Sequence, residues 1–141
     1  VTTKNIKNQG FTLVELLIVI VIIAILTVVS LVAYNGLQNQ AKTSAAKSAA
    51  DAVAKKAELY NTAESKYPAN LTDLTNTAKS GEPYYLDAKT VKAGSLTAGT
   101  APAEANTIEY TLCGTSNKGA HVKYYNFSKD TVEERTIGTG C

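Results

Sequence analysis

FTLVELLIVIVIIAILTVVSLVA occupies residues 11–33, and one ionisable side chain interrupts it, Glu15, at the fifth place. At about 1.5 Å per residue, a helix over these positions extends roughly 35 Å, enough to cross the hydrocarbon of a bilayer. Lys4 and Lys7 stand just before it with no acid among them. That bias predicts a cytoplasmic N-terminus, with the remainder of the chain on the far side. Three readings compete: a secretory signal cut near the small residues around Ala33, a plain signal anchor, or a segment trimmed at its cytoplasmic edge that keeps its helix. Glu15 favours the third. An unpaired carboxylate in an inserting apolar run costs about 2–3 kcal/mol, and a simple signal or anchor has no reason to carry it.

The wording around Glu15 is more specific. KNQGFTLVE at residues 7–15 resembles the class III signal of type IV prepilins and pseudopilins: a short basic leader ending in Gly, then Phe, then Glu at the fifth position of the mature chain. The resemblance implies that a membrane-embedded prepilin peptidase cuts between Gly10 and Phe11 and methylates the new Phe11 amine. It also implies a structural subunit, staged in the cytoplasmic membrane and drawn by an ATP-driven assembly machine into an extracellular helical filament, a pilus. Glu15 would serve assembly. The freed Phe11 amine is cationic, and an acid four residues on sits where the helix dipole favours negative charge. Pairing with the amine of a neighbouring subunit would set axial register, since an unpaired buried charge is penalised. The spacing also permits a pair within one subunit.

Beyond residue 33 the sequence predicts that the same helix continues. No Pro occurs before Pro68, and residues 34–63 are rich in Ala, the strongest helix former. Ala41, Ala45, Ala49 and Ala57 recur in four-residue steps, with Leu37, Val53 and Tyr60 near that line. One helix of about 50 residues, roughly 75 Å, is expected. Its all-apolar half belongs in lipid or among copies of itself. Ala24, Thr27, Ser30 and Ala33 step along it at three-residue intervals, either as a close-packing stripe or as ordinary variation. Familiar pilins carry a Gly-to-Pro stretch midway along this helix; here Ala24 and Val32 hold those places. Gly36, after Asn35, is the one local weak spot.

SKYPANLTDL at residues 65–74 ends the helix, because Tyr67 before Pro68 disfavours the helical region. The phrase also resembles the segment that follows the long helix in many pilins. Tyr67, Leu71 and Leu74 are expected in the core. Residues 75–106 are rich in Thr, Ala, Gly and Lys and predict a surface connection, with a short extended piece at Tyr84, Tyr85 and Leu86. Three strand-like runs follow. Ile108, Tyr110 and Leu112 share one face of the first. The second spans residues 120–127, and the third, residues 131–137, is shorter, charged and suited to an edge. The expected fold is α+β: a long N-terminal helix packed on a small antiparallel β-sheet head. The expected divisions are a leader at 1–10, a membrane and polymerisation half at 11–33, an amphipathic half at 34–63, and a head at 64–141. The head divides into a connecting loop at 64–106 and a sheet at 107–141.

Cys113 and Cys141 are the two cysteines. An even count in an exported chain predicts one disulfide, for which chain entropy suggests about 3.5 kcal/mol. Lys4 and Lys7 account for the whole net charge of +2, so the remainder is neutral and has no basic stripe for a nucleic-acid backbone. His121, the single histidine, reads as a structural or surface residue. No phosphate loop, nucleophile elbow, triad or metal-ligand spacing is present, so neither catalysis nor a cofactor nor a metal is expected. The expected partners are identical subunits, the membrane, the peptidase and assembly machinery, and the surface of a host or neighbouring cell. Adhesion, motility and DNA uptake are the roles such a filament serves. A minor pilin or pseudopilin of a secretion or competence apparatus, and an adhesive module on a membrane anchor, are the rival readings.

Overall fold

A computed structural model describes residue 10 and residues 12–141; residues 1–9 and Phe11, and with them Lys4 and Lys7, lie outside the described residues. The chain divides between Gln38 and Asn39 into two compact units. A single helix, α1, runs Leu13–Glu64, with Gly36 in its hydrogen-bonded ladder.

In the first unit α1 is apolar on every side. Its large hydrophobic side chains at positions 13–37 are all 49–83% exposed. By length and composition it is able to cross a membrane. The Thr27 hydroxyl donates to the Ile23 carbonyl at 2.7 Å, so this polar group is satisfied inside the run. Thr27 and Ser30 lie in one shallow surface groove, with Ile23, Leu26, Leu31 and Tyr34. Ala24 belongs to another, with Ile25, Val28 and Val29. Of the three-residue stripe, Ala24 therefore lies in a different depression from Thr27 and Ser30.

The second unit, Asn39–Cys141, holds the core. Along α1 the buried residues are Ala46, Ala49, Ala50, Val53, Ala54 and Ala57. Ala41 and Ala45 are exposed, contrary to the four-step reading. A helix turns about 100° per residue, so four steps overshoot a full turn by about 40°, and a strict ladder of four drifts off the buried face. Alternating steps of three and four hold it. The helix ends where Ser65 turns left-handed (φ 60°) while its amide still donates to the Asn61 carbonyl at 2.8 Å. Tyr67 and Pro68 follow, both buried.

The connection is more ordered than its composition predicts. A short helix, α2 (Thr72–Thr75), and a 3-10 turn at Thr77–Lys79 precede a two-residue strand, β1 (Lys92–Ala93). Tyr84, Leu86 and Val91 are buried in the core, and no strand forms at residues 84–86. The Tyr84 ring meets Tyr60 edge-on, with centroids 4.8 Å apart. The Leu86 amide donates to the Leu74 carbonyl at 2.9 Å. Tyr84, Leu86 and Val91 join one core cluster, which an average over the segment conceals.

The sheet comprises β1, β2 (Thr107–Cys113), β3 (Gly119–Asn126) and β4 (Thr131–Gly138), in that order. It is mixed, where an antiparallel sheet was expected: β1 runs parallel to β2, with Lys92 opposite Thr107. Residues 94–106 bring the chain back to start β2 in the same direction, a crossover of about the dozen residues that parallel pairing requires. The other two pairings are antiparallel. β4 is an edge as expected, but it pairs along the whole of β3, from Gly119–Gly138 to Asn126–Thr131.

One face of the sheet packs on the second half of α1. Ile108, Ala120, Val122 and Ile137 meet the alanine seam, and Tyr110, Leu112 and Tyr124 border it. A smaller cluster joins Tyr125 and Phe127 to Ala46, beside Leu96 and Ala105. Thr43 links helix and sheet: its hydroxyl donates to the Asn39 carbonyl at 2.8 Å and accepts the Phe127 amide at 2.9 Å. Among the described residues, every buried side-chain nitrogen and oxygen has a partner.

Candidate functional site at the helix N-terminus

Thr12 immediately precedes α1, and Glu15 lies in its first turn. The Thr12 amide donates to Glu15 Oε2 at 3.0 Å, and the Glu15 amide donates to Thr12 Oγ1 at 3.1 Å. This reciprocal pair is a capping box, which satisfies two of the four orphan amides of a helix start. The carboxylate also faces the positive end of the helix dipole. Both residues are exposed, as is Gly10. Phe11, the predicted cleavage and methylation site, lies outside the described residues.

Thr12 is the site residue that the sequence reading missed. Its signal was present in T-x-x-E, three residues apart and ahead of an apolar run, the spacing at which a hydroxyl and a carboxylate each reach the other's amide. Glu15 therefore has a structural task, anchoring the helix start, besides any task in assembly. The cap occupies one oxygen of its carboxylate; a carboxylate carries about four lone-pair sites, so it retains capacity for a cation.

The remaining predicted residues lie in the second unit. Cys113 and Cys141 are disulfide-bonded with Cα atoms 5.1 Å apart, within the usual range. The disulfide holds the tail against the end of the sheet. Gly119 makes room for it, since a Cβ there would stand 2.7 Å from Cys141 Sγ. His121 is half-buried on β3. Its Nδ1 lies 3.0 Å from Glu134 Oε1 and 3.2 Å from Thr136 Oγ1. One ring nitrogen of His121 and both cysteine sulfurs lie within 4.8 Å of one another, a grouping that the sequence reading did not foresee.

Residues 5–31 match the family model described as the prokaryotic N-terminal methylation motif. Searches of curated proteins and of solved structures find no match. The matched residues include the capping box and most of the exposed apolar run. The long helix followed by a small four-stranded mixed sheet is an α+β, pilin-like architecture. The signal implies processing by a prepilin peptidase and hand-over to an assembly machinery, and its apolar helix suits staging in a membrane. The chain thus carries, over residues 5–31, the class III signal of the type IV pilins and pseudopilins.

Proposed function

We propose that this chain is a structural subunit of a type IV pilus. It waits in the cytoplasmic membrane, is cleaved between Gly10 and Phe11, is methylated at Phe11, and polymerises through α1 into an extracellular filament. Such a filament serves adhesion to a host or neighbouring cell, motility or DNA uptake. The observation that carries the reading is the exposed apolar surface of α1 at positions 13–37, most of which falls within the matched signal. A surface of that kind is tolerable only in lipid or among other helices. Copies of the same helix supply such a partner once the subunit leaves the bilayer.

Glu15 is the pairing residue in this proposal. The cap leaves its carboxylate able to accept the Phe11 amine of an adjacent subunit, and an amine and a carboxylate attract strongly in apolar surroundings. Two substitutions separate the cap from the charge. Glu15→Gln keeps a capping side chain and removes the charge; Glu15→Ala removes both. Both variants are expected to insert and to be processed, with surface filament reduced at least tenfold by immunoblot of sheared material. Abundant normal filaments from Glu15→Gln would refute the pairing role. N-terminal sequencing of the sheared fraction tests the rest. A methylated Phe11 supports the subunit reading, whereas an intact leader on scattered monomers supports a membrane-anchored adhesive module. Short, scarce, processed material would indicate a minor pilin or pseudopilin.

A further inference from the structure

The outer face of the sheet brings together two sulfurs and an imidazole that the filament reading does not use. Gly119 opposes Cys113 across the β2–β3 ladder, and His121 follows two residues later on the same face of β3. Cys141 reaches this face over Gly119, where no side chain intervenes. The three donor atoms span 4.8 Å or less. A tetrahedral Zn(II), with bonds to sulfur of about 2.3 Å, needs its two thiolates about 3.8 Å apart, with a histidine nitrogen at a similar spacing. Cys141 is exposed, and once the S–S bond is cleaved, rotation about the cysteine Cα–Cβ bonds opens the two sulfurs to this spacing with the backbone of the tail in place.

Glu134 and Thr136 both engage Nδ1 of His121. A proton on Nδ1 directed at the Glu134 carboxylate leaves the lone pair on Nε2, and a carboxylate behind a histidine is the usual outer support of a metal-bound imidazole. Two thiolates and one imidazole form a soft-to-borderline donor set that selects zinc over magnesium or calcium.

We infer that the dithiol form of this chain binds one Zn(II) through Cys113, Cys141 and His121, with Glu134 as a positioning residue. The disulfide and metal forms exclude each other. A trialkylphosphine and water convert the disulfide to two thiols and the phosphine oxide. Zn(II) then displaces the two thiol protons and takes three protein ligands, leaving its fourth position to water. In this form the cation pins the tail to the sheet as the disulfide does in the oxidised form.

The test uses the full chain in detergent micelles, reduced with a phosphine that is then removed under anaerobic conditions. Co(II) serves as the spectroscopic probe, with Zn(II) as competitor. The expected result is one equivalent of Co(II), with thiolate charge-transfer and tetrahedral d–d bands that Zn(II) abolishes. The oxidised chain should give neither. His121→Ala and His121→Asn should each weaken binding about a hundredfold, and Glu134→Gln should weaken it about tenfold. Zn(II) should also restore thermal stability lost on reduction, in wild type but not in His121→Asn. The absence of charge-transfer bands in the reduced chain would overturn the site. Equal affinity in wild type and both His121 variants would overturn it too, since it would mean a two-thiolate chelate only.

Discussion

At single residues, the strain and the satisfied polar groups are easiest to test. Ser65 ends α1 at φ 60°, a region that costs a non-glycine residue about 1 kcal/mol or more. Ser65→Gly should therefore raise stability by roughly 0.5–1 kcal/mol in denaturant unfolding; no change would mean that Ser65 is held there at no cost. Tyr110 is the opposite case. Its hydroxyl donates to the Pro68 carbonyl at 2.7 Å, and burial, aided by the neighbouring Tyr67, raises its pKa well above the ordinary value of 10. A phenol whose folded pKa is raised contributes its stability in full below the unfolded pKa. That contribution is lost as pH climbs from about 10 towards the folded value. The fold should lose stability above about pH 10. Tyr110→Phe should flatten that loss while costing about 1 kcal/mol at neutral pH for the missing hydrogen bond. An unaltered alkaline slope in the variant would place the effect elsewhere.

At the scale of elements, α1 meets the sheet through a seam that is almost all alanine, with Val53 the exception. Small side chains let the strands approach the helix closely. Ala50, fully buried, has no space for added methylenes; Ala50→Leu should cost about 1–3 kcal/mol through overpacking, read as a lower denaturation midpoint. The tail is as constrained. Gly138 has φ +74°, and a Cβ there would collide with the Lys118 carbonyl and the Tyr67 ring. Gly138→Ala should cost about 1–3 kcal/mol from the backbone region alone, with the same measurement as the check. Asp51 and Arg135 pair across α1 and β4 at half-exposed positions, and such a surface pair adds little stability.

At the scale of the molecule, the division between Gln38 and Asn39 separates two kinds of stability. The second unit has its own core and needs no lipid. A chain beginning at Asn39 should remain in solution without detergent and unfold cooperatively, whereas the full chain should partition into micelles. Aggregation of the shortened chain would show that the core draws on the first unit. Reduction of Cys113–Cys141 in metal-free buffer should lower the stability of either chain by about 3.5 kcal/mol.

The methylation motif over residues 5–31 was legible in the sequence, because Gly10, Phe11, Glu15 and the apolar run after them depend on local spacing and transfer energetics, which a linear chain displays. The long helix was equally legible, because neither Pro nor a second Gly interrupts it before Glu64. Alternation marked Ile108, Tyr110 and Leu112 as a core face for the same reason. Tertiary structure decided what depends on partners distant in the chain. It put Tyr84, Leu86 and Val91 in the core, because a buried position is made by the elements around it, not by the composition of its own segment. It made the sheet mixed, because the direction of β1 follows from the path of residues 94–106. It set His121 beside both cysteines, because strand register and a left-handed glycine tail bring together residues that sequence spacing keeps apart.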